Sequence, residues 1–307
     1  MAERLNYRPN AAAKATATGR FCAVGMLARC GIGPIQDVVN AGVHDALQEA
    51  GRRMVYSLVD PHALRRGGPP PQMLREMAVD GALVHFARDV PTTLMAGFDR
   101  CRMPVAFINT RGRHDCVLPD DREATHRLTR RLIEMGHCRI GYSTTCADDA
   151  DSDPLGRHYS VAERLEGYEA AMTAAQLEPC VLEPVASDVP LSERLDSWAV
   201  TLARHSHVTA WIAYHTRDVG AIVAAASARG WSVPRDLSVA TFRFEANVYG
   251  AGGNVSTMRI PFYEVGRQAV EMLLQRIKDP SRQLPSIRVP FSDVSMETIA
   301  LPNETRS

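Results

Sequence analysis

The chain has 307 residues, 45% hydrophobic and 23% charged, which is the balance of a globular protein with room for two ordinary domains. Lys+Arg and Asp+Glu are equal at 35 each, so no global field draws the chain to nucleic acid or to a membrane surface. The first residues lack the basic and apolar regions of a secretory leader, and no run of about 18 apolar residues occurs, so a cytoplasmic protein without a membrane span is expected.

Residues 1–20, MAERLNYRPNAAAKATATGR, set Arg4, Arg8, Lys14 and Arg20 against one acid, Glu3. Asn10 reads as a helix N-cap in front of Ala11, Ala12 and Ala13, with Gly19 as the stop. So short a helix is marginal alone and exposes no apolar stripe, so it is expected to act with a partner.

From residue 21 short apolar strands alternate with amphipathic helices. The strand CAVGML (22–27) precedes a helix over 34–50, in which Ile35, Val38, Val39, Val43, Ala46 and Leu47 keep helical spacing and Gly51 ends the run. MVYSLV, GALVHFA and VAFIN continue the strands, and RRGGPPPQ (65–72) reads as a surface loop. The helix REATHRLTRRLIEMG leads to the strand RIGYSTT, and VAERLEGYEAAMTAAQ leads to CVLEPVA. AWIAY, a helix over 216–229, LSVATF and the long helix YEVGRQAVEMLLQRIKD complete the series. Strand followed by helix, repeated across short turns, predicts α/β architecture with parallel sheets covered on both faces. There are more such units than one small domain needs, so two similar α/β lobes are expected.

Signals of catalysis or metal binding are poor. Seven cysteines (Cys22, Cys30, Cys101, Cys116, Cys138, Cys146 and Cys180) are scattered without a CxxC pair, which points to reduced thiols rather than a zinc site or disulfide framework. GIGP (31–34) lacks the spacing of a dinucleotide loop, and no GxxxxGK[ST], HExxH or GxSxG is present. The acids Asp148, Asp149, Asp151 and Asp153 read as an exposed loop with no metal-ligand pattern. No enzyme, no cofactor and no metal are expected.

Five stretches, LNYRPNAAA, GHCRIGY, ERLEGYEAAM, RGWSVPRDLSVATF and VSTMRIPFYEVGRQAVEMLLQRI, together resemble the LacI/GalR family of transcription regulators in content and order. The resemblance covers essentially the whole chain. It implies a two-lobed, type I periplasmic-binding-protein-like fold whose chain crosses between lobes three times. It further implies a small-molecule effector in the interlobe cleft, a homodimer, and operator DNA as partner where a helix-turn-helix stands upstream. The expected division is a hinge over 1–20, a first lobe of 21–136 with about 261–280, and a second of 137–260 with about 281–300. In the family NYRPN closes the helix-turn-helix, so this chain looks like a member that starts at its hinge. Such a chain alone is expected to bind DNA only weakly.

The same resemblance nominates residues. Asn10 and Ala13 match the hinge pattern for operator contacts and Lys14 adds a phosphate contact, whereas Thr16 stands where the family has a leucine wedge. Arg164, in ERLEGY, matches the arginine that reaches effector hydroxyls or carboxylates; the alternative is a helix arginine paired with Glu163 or Glu166. Tyr214 and His215 replace an Asn-Asp pair, and Arg243 replaces an aspartate that binds sugar hydroxyls in the family. Arginine only donates, so these departures predict an anionic effector, a sugar derivative or carboxylate, unless Arg243 is neutralised by Glu245 or another acid. Phe262 stands where the family places a pocket aromatic, and of Asp120 and Asp121 one is expected to face the cleft, with Asp121 also a plausible helix cap. The stripe Ile35, Val38, Val39, Gly42 and Ala46 is expected near a two-fold interface. A rival reading is a stand-alone cytoplasmic solute-binding module without a DNA-binding head.

Overall fold

The computed structural model describes residues 19–29, 34–60, 63–64, 66, 68, 71–76, 78–86, 90–112, 114–144, 158–183, 189–243 and 255–303. In chain order its elements are β1 (Ala23–Arg29), α1 (Pro34–Glu49), β2 (Arg53–Val59), α2 (Gln72–Glu76), β3 (Gly81–His85), α3 (Thr92–Cys101), β4 (Val105–Ile108) and β5 (Cys116–Pro119). Then come α4 (Asp121–Glu134), β6 (Ile140–Ser143), α5 (Ser160–Ala174), β7 (Cys180–Leu182), α6 (Leu191–Arg204) and β8 (Ala210–Ala213). The chain ends with α7 (Thr216–Ala228), β9 (Ser238–Arg243), β10 (Ser256–Arg259), α8 (Phe262–Lys278) and β11 (Ile287–Val289). No helix among the described residues is long and apolar enough to cross a membrane.

The chain divides into two compact units. The first, Met1–Leu118 with Phe262–Val289, holds a six-stranded sheet in the order β11-β5-β4-β3-β1-β2. The pairings of β1 with β2 and β3, of β3 with β4, and of β4 with β5 are parallel. In β1, Ala23 through Ala28 are all buried, so this strand reads as an unbroken apolar run rather than an alternating one.

On this sheet α1 packs against α8. A Cβ on Gly42 would stand 2.0 Å from the Tyr263 carbonyl oxygen, so only glycine permits this approach. Tyr263 donates to Asp45 at 2.8 Å and Arg267 clasps Glu49 bidentately at 2.9 and 2.7 Å. The stripe assigned from sequence to a two-fold interface is therefore corrected. Val39, Gly42 and Ala46 are buried within the chain's own first unit, because the helix that covers them returns from residue 262 onward.

The second unit, Pro119–Pro261 with Pro290–Ser307, holds a five-stranded sheet in the order β10-β9-β8-β6-β7, with every pairing parallel. One face of this sheet carries Trp198, Leu202, Trp211, Val219, Ile222 and Val239 as a buried cluster under α6 and α7. On that face Arg194 of α6 and Asp218 of α7 form a buried ion pair at 3.1 Å. Burial pushes the Asp218 carboxyl up, and Arg194 opposes this.

The units divide at other points than the sequence suggested. The first ends at 118, not 136, because α4 is held by α5 of the second unit. The returning segment stays in the first unit to 289, because β11 joins that sheet and Asp115 exchanges hydrogen bonds with Leu284 at 2.9 Å. The last strand thus belongs to the first sheet and not the second. Elements 92–101, 116–119, 191–204 and 256–259 were not among those read from the pattern.

Candidate functional site

In a parallel sheet all strands deliver their carboxyl ends to one edge, where loops can gather polar groups. In the second unit that edge receives Tyr214 and His215 after β8 and Arg243 at the end of β9, on neighbouring strands, since Ala213 registers with Thr241. Asp121 enters from the first turn of α4 and Arg164 from α5.

Arg164 Nε donates to Asp121 Oδ1 at 2.6 Å, with side-chain exposures of only 7% and 2%. Three aromatic rings lie near the guanidinium. Its Cζ lies 4.7 Å from the Tyr214 centroid, 4.4 Å from Phe242 and 5.9 Å from Phe291. Burial alone would lower the Arg164 pKa, but Asp121, with Tyr214 and Tyr142, outweighs it and the group is held above its ordinary value. A desolvated cation is tolerated here because one carboxylate and several π-faces replace water.

Further contacts fix this enclosure. The Tyr214 hydroxyl and Ser160 Oγ are 2.7 Å apart, and His158 Nδ1 reaches the same Oγ at 2.7 Å. Phe242 and Phe291 meet edge to face at 6.1 Å. Tyr142 stacks on Tyr168 at 5.2 Å, and its buried hydroxyl has no hydrogen-bond partner among the described residues. Burial raises the Tyr142 pKa, against the pull of the Arg164 charge, so it stays a neutral phenol. Ser143 Oγ, at the end of β6, likewise has no hydrogen-bond partner among the described residues.

The structure sorts the nominated residues. Asp120 is the N-cap of α4, accepting from the Glu123 amide at 3.5 Å, so the cap offered for Asp121 belongs to its neighbour. Arg164 pairs with Asp121 rather than with Glu163 or Glu166; Glu166 lies 3.9 Å from Arg122. His215 and Arg243 are half-buried. Phe262 is buried at the start of α8 in the first unit. Asn10, Ala13, Lys14, Thr16, Glu245 and the acidic run of Asp148, Asp149, Asp151 and Asp153 lie outside the described residues.

Sequence reading passed over Phe242, Phe291, Ser160 and Tyr142, whose apolar or small surroundings mark them only as packing. It also passed over His85, at the carboxyl end of β3 in the first unit. That ring is fully buried, with Nδ1 2.8 Å from Gln36 Oε1, and burial pushes its pKa down to about 3, so it is a neutral imidazole. No group of three potential metal ligands occurs among the described residues.

A family model described as "Periplasmic binding protein-like domain" matches residues 129–294, more than half the chain. The PurR-type transcriptional repressor of Aliivibrio salmonicida is 26% identical over 288 residues, covering 90% of this chain and 81% of the relative. The GalR regulator of Escherichia coli is 24% identical, over 94% of this chain and 82% of that protein. The chain belongs to the LacI/GalR family of periplasmic-binding-protein-like proteins.

Among solved structures, the lac repressor dimer bound to operator and an anti-inducer has a TM-score of 0.73 at 17% identity, over 96% of this chain and 100% of that one. At the edge of the second unit stand the phenol of Tyr214, the imidazole of His215 and the guanidinium of Arg243. Arg164 holds Asp121 beside them.

Proposed function

We propose that the protein is a ligand-sensing transcriptional regulator that acts without catalysis and takes an anionic effector, a sugar acid, sugar phosphate or small carboxylate. The observation that carries the reading is the Asp121–Arg164 pair inside its aromatic enclosure. That pair is internally neutral, and the His215 imidazole and the Arg243 guanidinium stand at the ends of the neighbouring strands β8 and β9. A guanidinium offers an anion a fork of charge-assisted donors, whereas it offers no acceptor to the hydroxyl protons of a neutral sugar. That the relatives are repressors, one of them solved with operator DNA, supports the regulatory half of the proposal.

Calorimetric titration of galactose against galacturonate, and of glucose against glucose 6-phosphate, tests the effector class. Acidic ligands are expected to bind, and Arg243→Ala is expected to weaken them at least about tenfold, the loss of one charge-assisted contact. Tight binding of a neutral sugar that survives Arg243→Ala unchanged would overturn the anionic reading.

The proposal includes a homodimer. Its contact on the first unit is placed on β2, the edge strand of the sheet, because Val55, Tyr56 and Leu58 stand exposed there. Sedimentation at micromolar concentration should give about twice the 33.7 kDa chain mass, and Leu58→Arg should shift it towards the monomer. A wild-type protein that stays monomeric defeats this assignment.

A further inference from the structure

A second place in the second unit has the makings of a ligand site, separate from the Arg164 enclosure. Helix α4 carries Arg127, Arg130 and Arg131 at i, i+3 and i+4, so the three guanidiniums share one face. They line a groove of about 310 Å³ closed on its other side by the end of β10 and by the chain at 293–296. That volume lies at the lower end of the range for small-molecule sites, about 300–1,000 Å³.

The charges in this groove do not balance. Arg127 pairs with Asp293, whose side chain is 94% exposed, and also donates to the Phe291 carbonyl at 3.4 Å. Arg130 and Arg131 share the one carboxylate of Glu134, at 3.3 and 4.0 Å. Three guanidiniums thus face two carboxylates, and all the pairs are at the surface, where such bonds are weak and easily exchanged. A face that served solubility alone would be convex and polar. This one is concave, with the exposed Met296 on its wall and the buried Leu128 and Met258 beneath, and methionine adapts readily to an apolar guest.

We propose that the groove binds a compact amphipathic anion, a carboxylate carried on an aromatic or branched apolar body. The carboxylate would meet Arg130 and Arg131 in competition with Glu134, and the body would lie on Met296 and Val294, above the buried Met258. Arg127, anchored by the Phe291 carbonyl, stays in place when the exposed Asp293 swings away.

The test titrates benzoate, benzyl alcohol and acetate into the full chain carrying ¹³C-labelled methionine methyls. Benzoate is expected to shift the Met258 and Met296 signals saturably, while the uncharged probe and the probe without a body do not. Arg130→Ala combined with Arg131→Ala should weaken benzoate at least about tenfold, as expected for lost charge-assisted contacts. Glu134→Gln should tighten it by removing the competitor, and Arg204→Ala, at an exposed arginine of α6 away from the groove, should leave it unchanged. The proposal is overturned if benzoate gives no saturable shift at those methyls, if benzyl alcohol or acetate matches it, or if the double variant binds benzoate as the unaltered protein does. Because both arginines are exposed, their replacement leaves the fold in place and a loss reads directly on the groove.

Discussion

Replacing Arg164 by methionine should destabilise the protein by about 3–5 kcal/mol, because it removes the guanidinium that pairs with the buried Asp121 carboxylate. Asp121→Asn should cost a comparable amount by leaving the guanidinium unpaired beside Tyr214 and Phe242. The double variant, with neither charge, should recover most of that loss, since removing both partners of a buried pair is often close to neutral. Urea unfolding of the four proteins, analysed as a double-mutant cycle, gives the coupling directly. Single variants that each cost under about 1 kcal/mol would place the pair in the class of solvated surface bridges instead.

Gly167→Ala is the second large effect. The new Cβ would stand 2.2 Å from the Arg122 carbonyl oxygen and 3.0 Å from the His126 amide, both backbone atoms of α4 that cannot swing aside. Separating α4 from α5 also pulls Asp121 away from Arg164, so packing and the ion pair suffer together. A loss of about 1–3 kcal/mol or more is expected from the overpacking. Gly220→Ala in α7 serves as the control. A Cβ there meets nothing within 4 Å, so the better helix propensity of alanine should stabilise by about 0.5–1 kcal/mol. Thermal unfolding of both variants separates the two signs, and a neutral Gly167→Ala would mean that the two helices part readily.

The same two residues show what could be read in advance. Gly167 and Arg164 fall in one short stretch, ERLEGY, whose register names the arginine without its partner. The partner sits 43 positions earlier, and no local pattern distinguishes Asp121 as an ion-pair acceptor from Asp121 as a helix cap. Strands such as β1 and β8 were legible because burial on both faces makes them unbroken apolar runs. Helix α6 was within reach of the same reading, with Arg194, Trp198, Thr201 and Leu202 at helical spacing, but its buried face includes an arginine. Phe291 was not legible at all. Its place over Arg164 depends on a chain that leaves the second unit at 261 and returns at 290. The α1 stripe failed for a related reason: periodicity reports that a face is covered but not what covers it.

That interleaved path bears on the order of synthesis. The first unit's sheet is almost complete by residue 119, yet α8, which buries Val265, Ala269, Val270 and Leu273, and the edge strand β11 emerge only after residue 261. Nascent domains generally fold in the order in which they leave the ribosome. Here the second unit, continuous through residues 119–261, can gather its five strands while the first still waits with α1 uncovered. The amino-terminal half of the chain is therefore the last to finish folding, and chains released early would expose the face of α1 around Val39 and Gly42 to chaperones and proteases.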